Sequence, residues 1–220
     1  MKSNKLGFKI LTILTTLKII NTMQTVAIEG TVRTEFGKKA TKAMRKEGLV
    51  PCVAYGGGAS ISFSTKSAAF KPLIFTADFQ LVEITVEGKS YRAILKDTQY
   101  HPVTDKLLHA DFLLLVDGNT LTAEVPVRLR GIAPGTKTGG KLIQITRKVK
   151  IKTTPKNLVD HLSVNIESLE LGKSVRVRDL DVVENVEVVT SPGIPLASVE
   201  IPRALRSAQT AAEKGEEEEV

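Results

Sequence analysis

The sequence predicts a mainly β protein with a few short helices, arranged as two β-rich domains. Val, Ile and Thr are plentiful, short apolar segments alternate with polar residues, and glycine-rich turns recur between these segments. Trp is absent and aromatic residues make up only 5% of the chain. Strands should therefore outnumber helices, and 220 residues are enough for two modest domains.

The first domain is expected over residues 23–116. Gly37 and Gly48 bound a short basic helix over 38–47, and Glu87-Gly88-Lys89 is typical of a hairpin turn. Apolar alternation predicts the strands, which cover residues 24–32, 49–55, 60–65, 81–86, 90–96 and 108–116. Residues 67–75 are expected to be helical.

The second domain is expected over residues 117–202, after the turn residues Asp117-Gly118-Asn119. Its predicted strands cover residues 122–129, 141–146, 149–153, 162–166, 174–177 and 186–189. The loop 131–140 looks too rich in Gly for regular structure, and 155–160 suggests one helical turn. Evenly spaced short strands with turn signals favour a sandwich or an open barrel.

The two ends of the chain differ from its body. Residues 1–22 carry four Lys and no acidic residue, but Lys9 and Lys18 interrupt the apolar stretch and no small-residue cleavage site follows. Because Met23 leads straight into a strand, we expect it to be the initiator and residues 1–22 not to belong to the natural protein. Residues 203–220 end in a run of Glu and are expected to form a disordered acidic tail.

Composition narrows the functional classes. The net charge of +7 favours a partner with phosphate groups, although a basic surface also serves solubility. The single cysteine, Cys52, lies in an apolar run, which fits a buried thiol in a reducing, cytoplasmic setting.

Gly172-Lys173-Ser174 resembles the end of a phosphate-binding loop, but Glu167 stands where its first Gly is needed. We expect no catalytic site, no metal and no cofactor.

The basic helix is the first candidate binding element. Lys38, Lys42 and Arg45 share one helical face by their spacing, Arg33 lies just upstream, and Gly37 allows a sharp entry. This face could contact phosphates, or it could be an ordinary solvated helix surface.

A second candidate spans Lys96–Pro102 and Lys106–Phe112. It offers Gln99, His101, His109 and Asp111, side chains that can read base edges and stack on bases. Two enzymatic alternatives are a metal site of both His with Asp111, and a general-base pair of His109 with Asp111. On a strand the His109 and Asp111 side chains share a face, so Asp111 could also simply orient His109.

A third candidate is the basic segment that begins at the second domain's Gly-rich loop. It contains Lys137, Lys141, Arg147, Lys148, Lys150 and Lys152. The last three alternate with Val149 and Ile151, so their charges line one side of a strand. This side is either a second RNA face or a polar strand face.

The ordered motifs of residues 24–115 resemble a known family: bacterial large-subunit ribosomal protein number twenty-five, in its longer two-domain form, the general stress protein CTC type. The residues that carry the resemblance are Arg33, Gly37-Lys38, Lys42-x-x-Arg45, Gly48-Leu-Val-Pro51, Tyr55-Gly56-Gly57, Lys96-Asp97-x-Gln99, His101-Pro102 and His109-x-Asp111-Phe112. The likeness continues more loosely to about residue 202. The family often has Gly where Lys39 stands and Arg where Lys42 stands, so Lys42 is expected to contact phosphate rather than a base.

The resemblance implies a six-stranded β-barrel that binds the loop E region of 5S rRNA in the large ribosomal subunit, followed by an all-β domain that could reach neighbouring ribosomal proteins. The residues expected at the RNA are Arg33, Gly37, Lys38, Lys42, Arg45, Tyr55, Gln99, His101, His109 and Asp111. The main alternative is a stress-response RNA-binding protein that acts away from the ribosome. An exported β-protein is a weaker alternative, and no membrane partner is expected.

Overall fold

The computed structural model describes residues 23–182 and 185–202. The predictions for residues 1–22 and for the acidic tail concern residues outside these ranges. Within them the chain forms two compact units, residues 23–123 with 153–160, and residues 124–152 with 161–182 and 185–202.

A closed six-stranded barrel forms the first unit, as the family resemblance implied. Its strands are β1 (Thr25–Val32), β2 (Leu49–Gly56), β3 (Ala59–Lys66), β4 (Leu81–Val86), β5 (Lys89–Tyr100) and β6 (Leu107–Leu114). Their order around the barrel is β1-β3-β2-β6-β5-β4. Parallel pairing of Thr25 with Leu81 closes the barrel between its first and fourth strands, which leaves no free strand edge there.

Aromatic rings fill the barrel interior. Phe63, Phe70 and Phe112 are fully buried, and the ring centroid of Phe112 lies 5.8 Å from that of Phe63 and 6.1 Å from that of Phe70. Phe63 and Phe112 alternate along β3 and β6 with polar or partly exposed neighbours, so the other side of each strand faces outward. The core thus fixes which side chains can face a partner.

Short helices cover parts of the barrel. Helix α1 runs over Lys38–Lys46, close to the predicted 38–47, and Gly37 precedes it with a φ of 105° that only Gly adopts readily. A 3₁₀ helix over Ser67–Phe70 leads into α2 over Lys71–Ile74, which confirms helical structure in the 67–75 segment.

The second unit is also built from strands. They are β7 (Leu121–Arg130), β8 (Lys141–Gln144), β9 (Lys148–Thr153), β10 (Leu162–Asn165), β11 (Ser174–Arg176), β12 (Glu187–Val188) and β13 (Pro195–Glu200). They form a sheet of order β10-β7-β9-β12 and a sheet of order β11-β13-β8. The predicted turn near 155–160 contains a 3₁₀ helix over Pro155–Asn157, in a segment that belongs to the first unit.

Two details of this unit differ from the sequence prediction. The Gly-rich loop contains a helical turn, α3, over Pro134–Lys137, and β13 was not among the expected strands. Gly135 in α3 is buried, and a Cβ there would lie 2.7 Å from the backbone of Glu170 and Leu171. The glycine therefore allows close packing of two backbone segments rather than an irregular loop.

Cys52 is buried in the barrel core, as predicted, and this location controls its chemistry. Burial raises the pKa of its thiol to about 12, with the charge of Arg33 lowering that pKa and the charge of Asp111 raising it by smaller amounts. Only the thiolate reacts with thiol reagents.

We therefore expect Cys52 in the native protein to react with an aromatic disulfide reagent on the order of a thousandfold more slowly at pH 8 than in the urea-unfolded chain. Since folding favours the protonated thiol, this contribution to stability is complete below pH 9 and declines as the pH rises toward 12. Rapid native-state reaction at pH 8 would contradict the burial.

Candidate nucleic-acid interface

One outer side of the barrel brings together four of the ten predicted RNA-binding residues, Arg33, Gln99, His109 and Asp111. Cross-strand pairing connects Ser62 of β3 to Val53 of β2, Val53 to Asp111 of β6, and Asp111 to Asp97 of β5. Cys52, Ala54, Ala110 and Phe112 on either side of these positions are buried, so the paired side chains point outward. We call this surface of β3, β2, β6 and β5, together with Arg33, Gln99 and His109, the barrel face.

Gln99 and His109 form the next cross-strand pair of the barrel face. Nδ1 of His109 lies 2.7 Å from Oδ1 of Asp111, a distance at which the ring N–H donates to the carboxylate. In a neutral imidazole this leaves Nε2 as an acceptor. Gln99, His109 and Asp111 therefore present both hydrogen-bond donors and acceptors at one place. The side chains of His109 and Asp111 are 24% and 30% exposed.

Helix α1 carries the positive charge beside this polar group. Its cations Lys38, Lys39, Lys42, Arg45 and Lys46 are all exposed, and Ala40, Thr41 and Met44 form its less exposed side. Nε of Arg45 donates to the carbonyl of Leu108 at 3.1 Å, which ties the helix to the strand residue before His109. The predicted common face of Lys38, Lys42 and Arg45 is thus present and open to solvent.

Arg33 forms the edge of the barrel face on the side of β1. Its backbone N–H donates to the carbonyl of Ser62 at 3.0 Å, and its guanidinium lies 5.3 Å from the ring centroid of the exposed Phe36. The buried Nε–H of Arg33 finds no acceptor among the described residues. A planar guanidinium held over an aromatic ring is poised to stack or to bind phosphate.

Two predicted residues lie at opposite ends of the barrel face. Tyr55 is exposed next to the glycine hairpin at the end of β2, where a Cβ on Gly56 would meet the carbonyl of Leu114 at 2.9 Å. His101 lies in the turn between β5 and β6, where its Nδ1 accepts the backbone N–H groups of Val103 and Thr104, each at 3.3 Å. His101 thus shapes the turn with one nitrogen and has only Nε2 left for a partner.

Ser62 and Asp97 also belong to the barrel face, although the sequence did not single them out as site residues. Asp97 lies opposite Asp111, and its Oδ1 accepts the N–H of Thr98 at 2.8 Å. The alternation of Ser60, Ser62 and Ser64 along β3 was a usable signal for a polar outer side. Two facing carboxylates repel phosphate, so they suit contacts to base amino groups or 2′-hydroxyls.

Two other structural features are absent from the described residues. No helix within residues 23–182 and 185–202 is long and apolar enough to cross a membrane. Over the same residues no three His, Cys, Asp or Glu side chains are grouped as metal ligands would be.

Comparisons with known proteins match two successive parts of the chain to two family models. Residues 28–112 match the model of the Ribosomal L25p family, and residues 120–203 match that of the ribosomal protein TL5 C-terminal domain. A large ribosomal subunit protein bL25 of Porphyromonas gingivalis is 43% identical over 188 residues, which cover 84% of this chain and 97% of the relative. A protein of the same name from Cytophaga hutchinsonii is 38% identical over 192 residues, 87% of this chain and 100% of the relative. The chain therefore belongs to the ribosomal L25p family, in the long form with a TL5-type C-terminal domain.

Proposed function

We propose that this protein binds 5S rRNA, at its loop E region, through the barrel face and helix α1, as a structural component of the large ribosomal subunit. Membership of the L25p family supports the ribosomal, non-enzymatic role, and with it a place on cytoplasmic ribosomes. The observation that carries the RNA contact is the meeting of Gln99, His109 and Asp111 beside the cations of α1.

The two parts of this surface divide the work of recognition. Exposed Lys38, Lys42 and Arg45 supply charge for phosphates, which gives affinity without sequence preference. Beside them, the acceptor Nε2 of His109 and the carboxylate of Asp111 suit donors such as the guanine amino group or a 2′-hydroxyl. The wide, shallow minor groove of RNA exposes such groups, so we infer that the barrel face reads a minor groove.

The direct test is the affinity of the full chain for 5S rRNA and for an unrelated RNA duplex, each at several salt concentrations. We expect tighter binding to 5S rRNA and a linear fall of log affinity with log salt for both RNAs. Equal, weak binding to the two RNAs would contradict the proposal. Co-sedimentation with large subunits separates a ribosomal component from a stress-response protein that acts elsewhere.

Replacing Gln99 with Ala tests base reading at the barrel face. The exposed amide lies opposite His109, where it can pair with a base edge, so its loss should cost about 1–3 kcal/mol of binding to 5S rRNA. Binding to the unrelated duplex should stay within a factor of about two, because that complex depends on phosphate contacts. An equal loss on both RNAs would show that Gln99 does not read a base.

A further inference from the structure

The four-stranded sheet of the second unit has a basic outer side. Lys148, Lys150 and Lys152 of β9 are exposed, whereas Val149 and Ile151 between them are fully buried. The three ammonium groups therefore leave the sheet on one side, at spacings of roughly 6.5–7 Å along the strand. The sequence left open whether this row binds RNA or is simply a polar strand face.

The adjacent strand β7 extends the positive charge. Arg128 and Arg130 are exposed on the side of β7 opposite to the buried Val125 and Val127. Their partners on β10, Ser163 and Asn165, are neutral. We call the outer side formed by Arg128, Arg130, Lys148, Lys150 and Lys152 the β9 face.

Acidic residues offset only part of the positive charge of the β9 face. Glu124 lies 3.7 Å from Lys150 and Glu187 lies 3.8 Å from Lys152, and both pairs are exposed. Exposed ion pairs at these distances contribute about 0–1 kcal/mol and yield readily to competing ions. Lys148 and Arg130 form no salt bridge with any described residue, so the face keeps an excess of positive charge.

We propose that the β9 face binds the phosphate backbone of ribosomal RNA, as a second RNA contact separate from the barrel face. A row of Lys side chains supplies point charges, which suit phosphates better than base edges. The face also lacks the aromatic anchors that dominate protein–protein interfaces. Its contact with RNA should therefore depend on charge and salt and carry little sequence preference.

The test uses the full chain with Lys148, Lys150 and Lys152 replaced together by Gln. The matched control replaces Lys173, Arg176 and Arg178 by Gln, which removes the same charge from exposed positions of the same unit. Two of its residues, Lys173 and Arg178, form salt bridges, as Lys150 and Lys152 do. The probes are protein-free large-subunit rRNA and a short loop E duplex of 5S rRNA. Affinities are measured at several salt concentrations.

We expect the β9 variant to bind large-subunit rRNA at least about tenfold more weakly than the parent, with a salt slope lower by about 2–3. The control and a Lys→Arg version of the three positions should bind like the parent. Binding of the β9 variant to the loop E duplex should be unchanged, since that duplex tests the barrel face. If the parent protein itself did not bind the loop E duplex, that result would count against the proposed function alone.

Three results would overturn the β9 proposal. One is an unchanged affinity of the β9 variant for large-subunit rRNA. A second is an equal loss in the control, which would indicate net charge rather than a site. The third is weaker association of the variant with large subunits while binding to protein-free rRNA is normal, which would assign the face to a protein partner.

Discussion

Replacing Lys38, Lys42 and Arg45 together by Gln should raise the Kd for 5S rRNA on the order of a hundredfold at about 0.1 M salt. The three cations lie exposed along α1, and each phosphate contact that we propose for them would release condensed counterions from the RNA. The slope of log affinity against log salt should fall by about 2–3 at the same time. Filter binding over a salt series measures both quantities.

A control variant separates this site from the overall charge of the protein. Lys71 of α2, and Lys89 and Arg92 in the first part of β5 that pairs with β4, are exposed on the same unit. They lie outside α1 and before the part of β5 that carries Asp97 and Gln99, so their replacement by Gln removes equal charge elsewhere. We expect the control to bind within about threefold of the parent, since only long-range attraction is lost. If both triple variants lost affinity equally, α1 would not be the phosphate-binding element.

Local periodicity and turn residues were sufficient to locate α1 and most strands. Gly37 and Gly48 bound the helix because both adopt a positive φ, of 105° and 79°, which other residues rarely accept. Alternation also predicted that Lys148, Lys150 and Lys152 share one side of β9, and the burial of Val149 and Ile151 confirms it. These features depend on neighbours in sequence, so the sequence can reveal them.

Closure of the barrel could not be derived from local pattern. It depends on the parallel pairing of β1 with β4 and of β2 with β6, in which the paired residues are more than fifty positions apart, and only the family resemblance implied it. The pairing of Gln99 with His109 could not be derived from local pattern either. That register follows an irregularity between Leu95 and Asp97, which shifts the side chains by one position.

His101 illustrates a different limit. The sequence grouped His101 with the side chains that we expect to read bases, but its Nδ1 accepts two backbone N–H groups of its own turn. Such local side-chain to backbone bonds compete with any partner, and residue type alone does not reveal them. Its place in the RNA interface remains a prediction, which now concerns Nε2 alone.

Replacing Phe112 with Ala should destabilise the barrel by about 3–5 kcal/mol. The ring is fully buried between Phe63 and Phe70, so its removal loses apolar burial and leaves a cavity. Phe75 is 82% exposed, and its replacement by Ala should change stability by no more than about 0.5 kcal/mol. Urea unfolding can be followed by the reactivity of Cys52, the single cysteine, which reports opening of this barrel.

This variant also connects stability with RNA binding. Phe112 lies next to Asp111 on β6, so the native barrel is needed to hold Asp111 beside His109. If only the folded barrel binds 5S rRNA, RNA at about 100 times its Kd should restore about 2.7 kcal/mol of the lost stability. The urea midpoint of the Phe112→Ala protein should then rise in the presence of 5S rRNA but not with an equal concentration of the unrelated duplex. A midpoint that does not respond to 5S rRNA would separate RNA binding from the folded barrel and contradict the proposed interface.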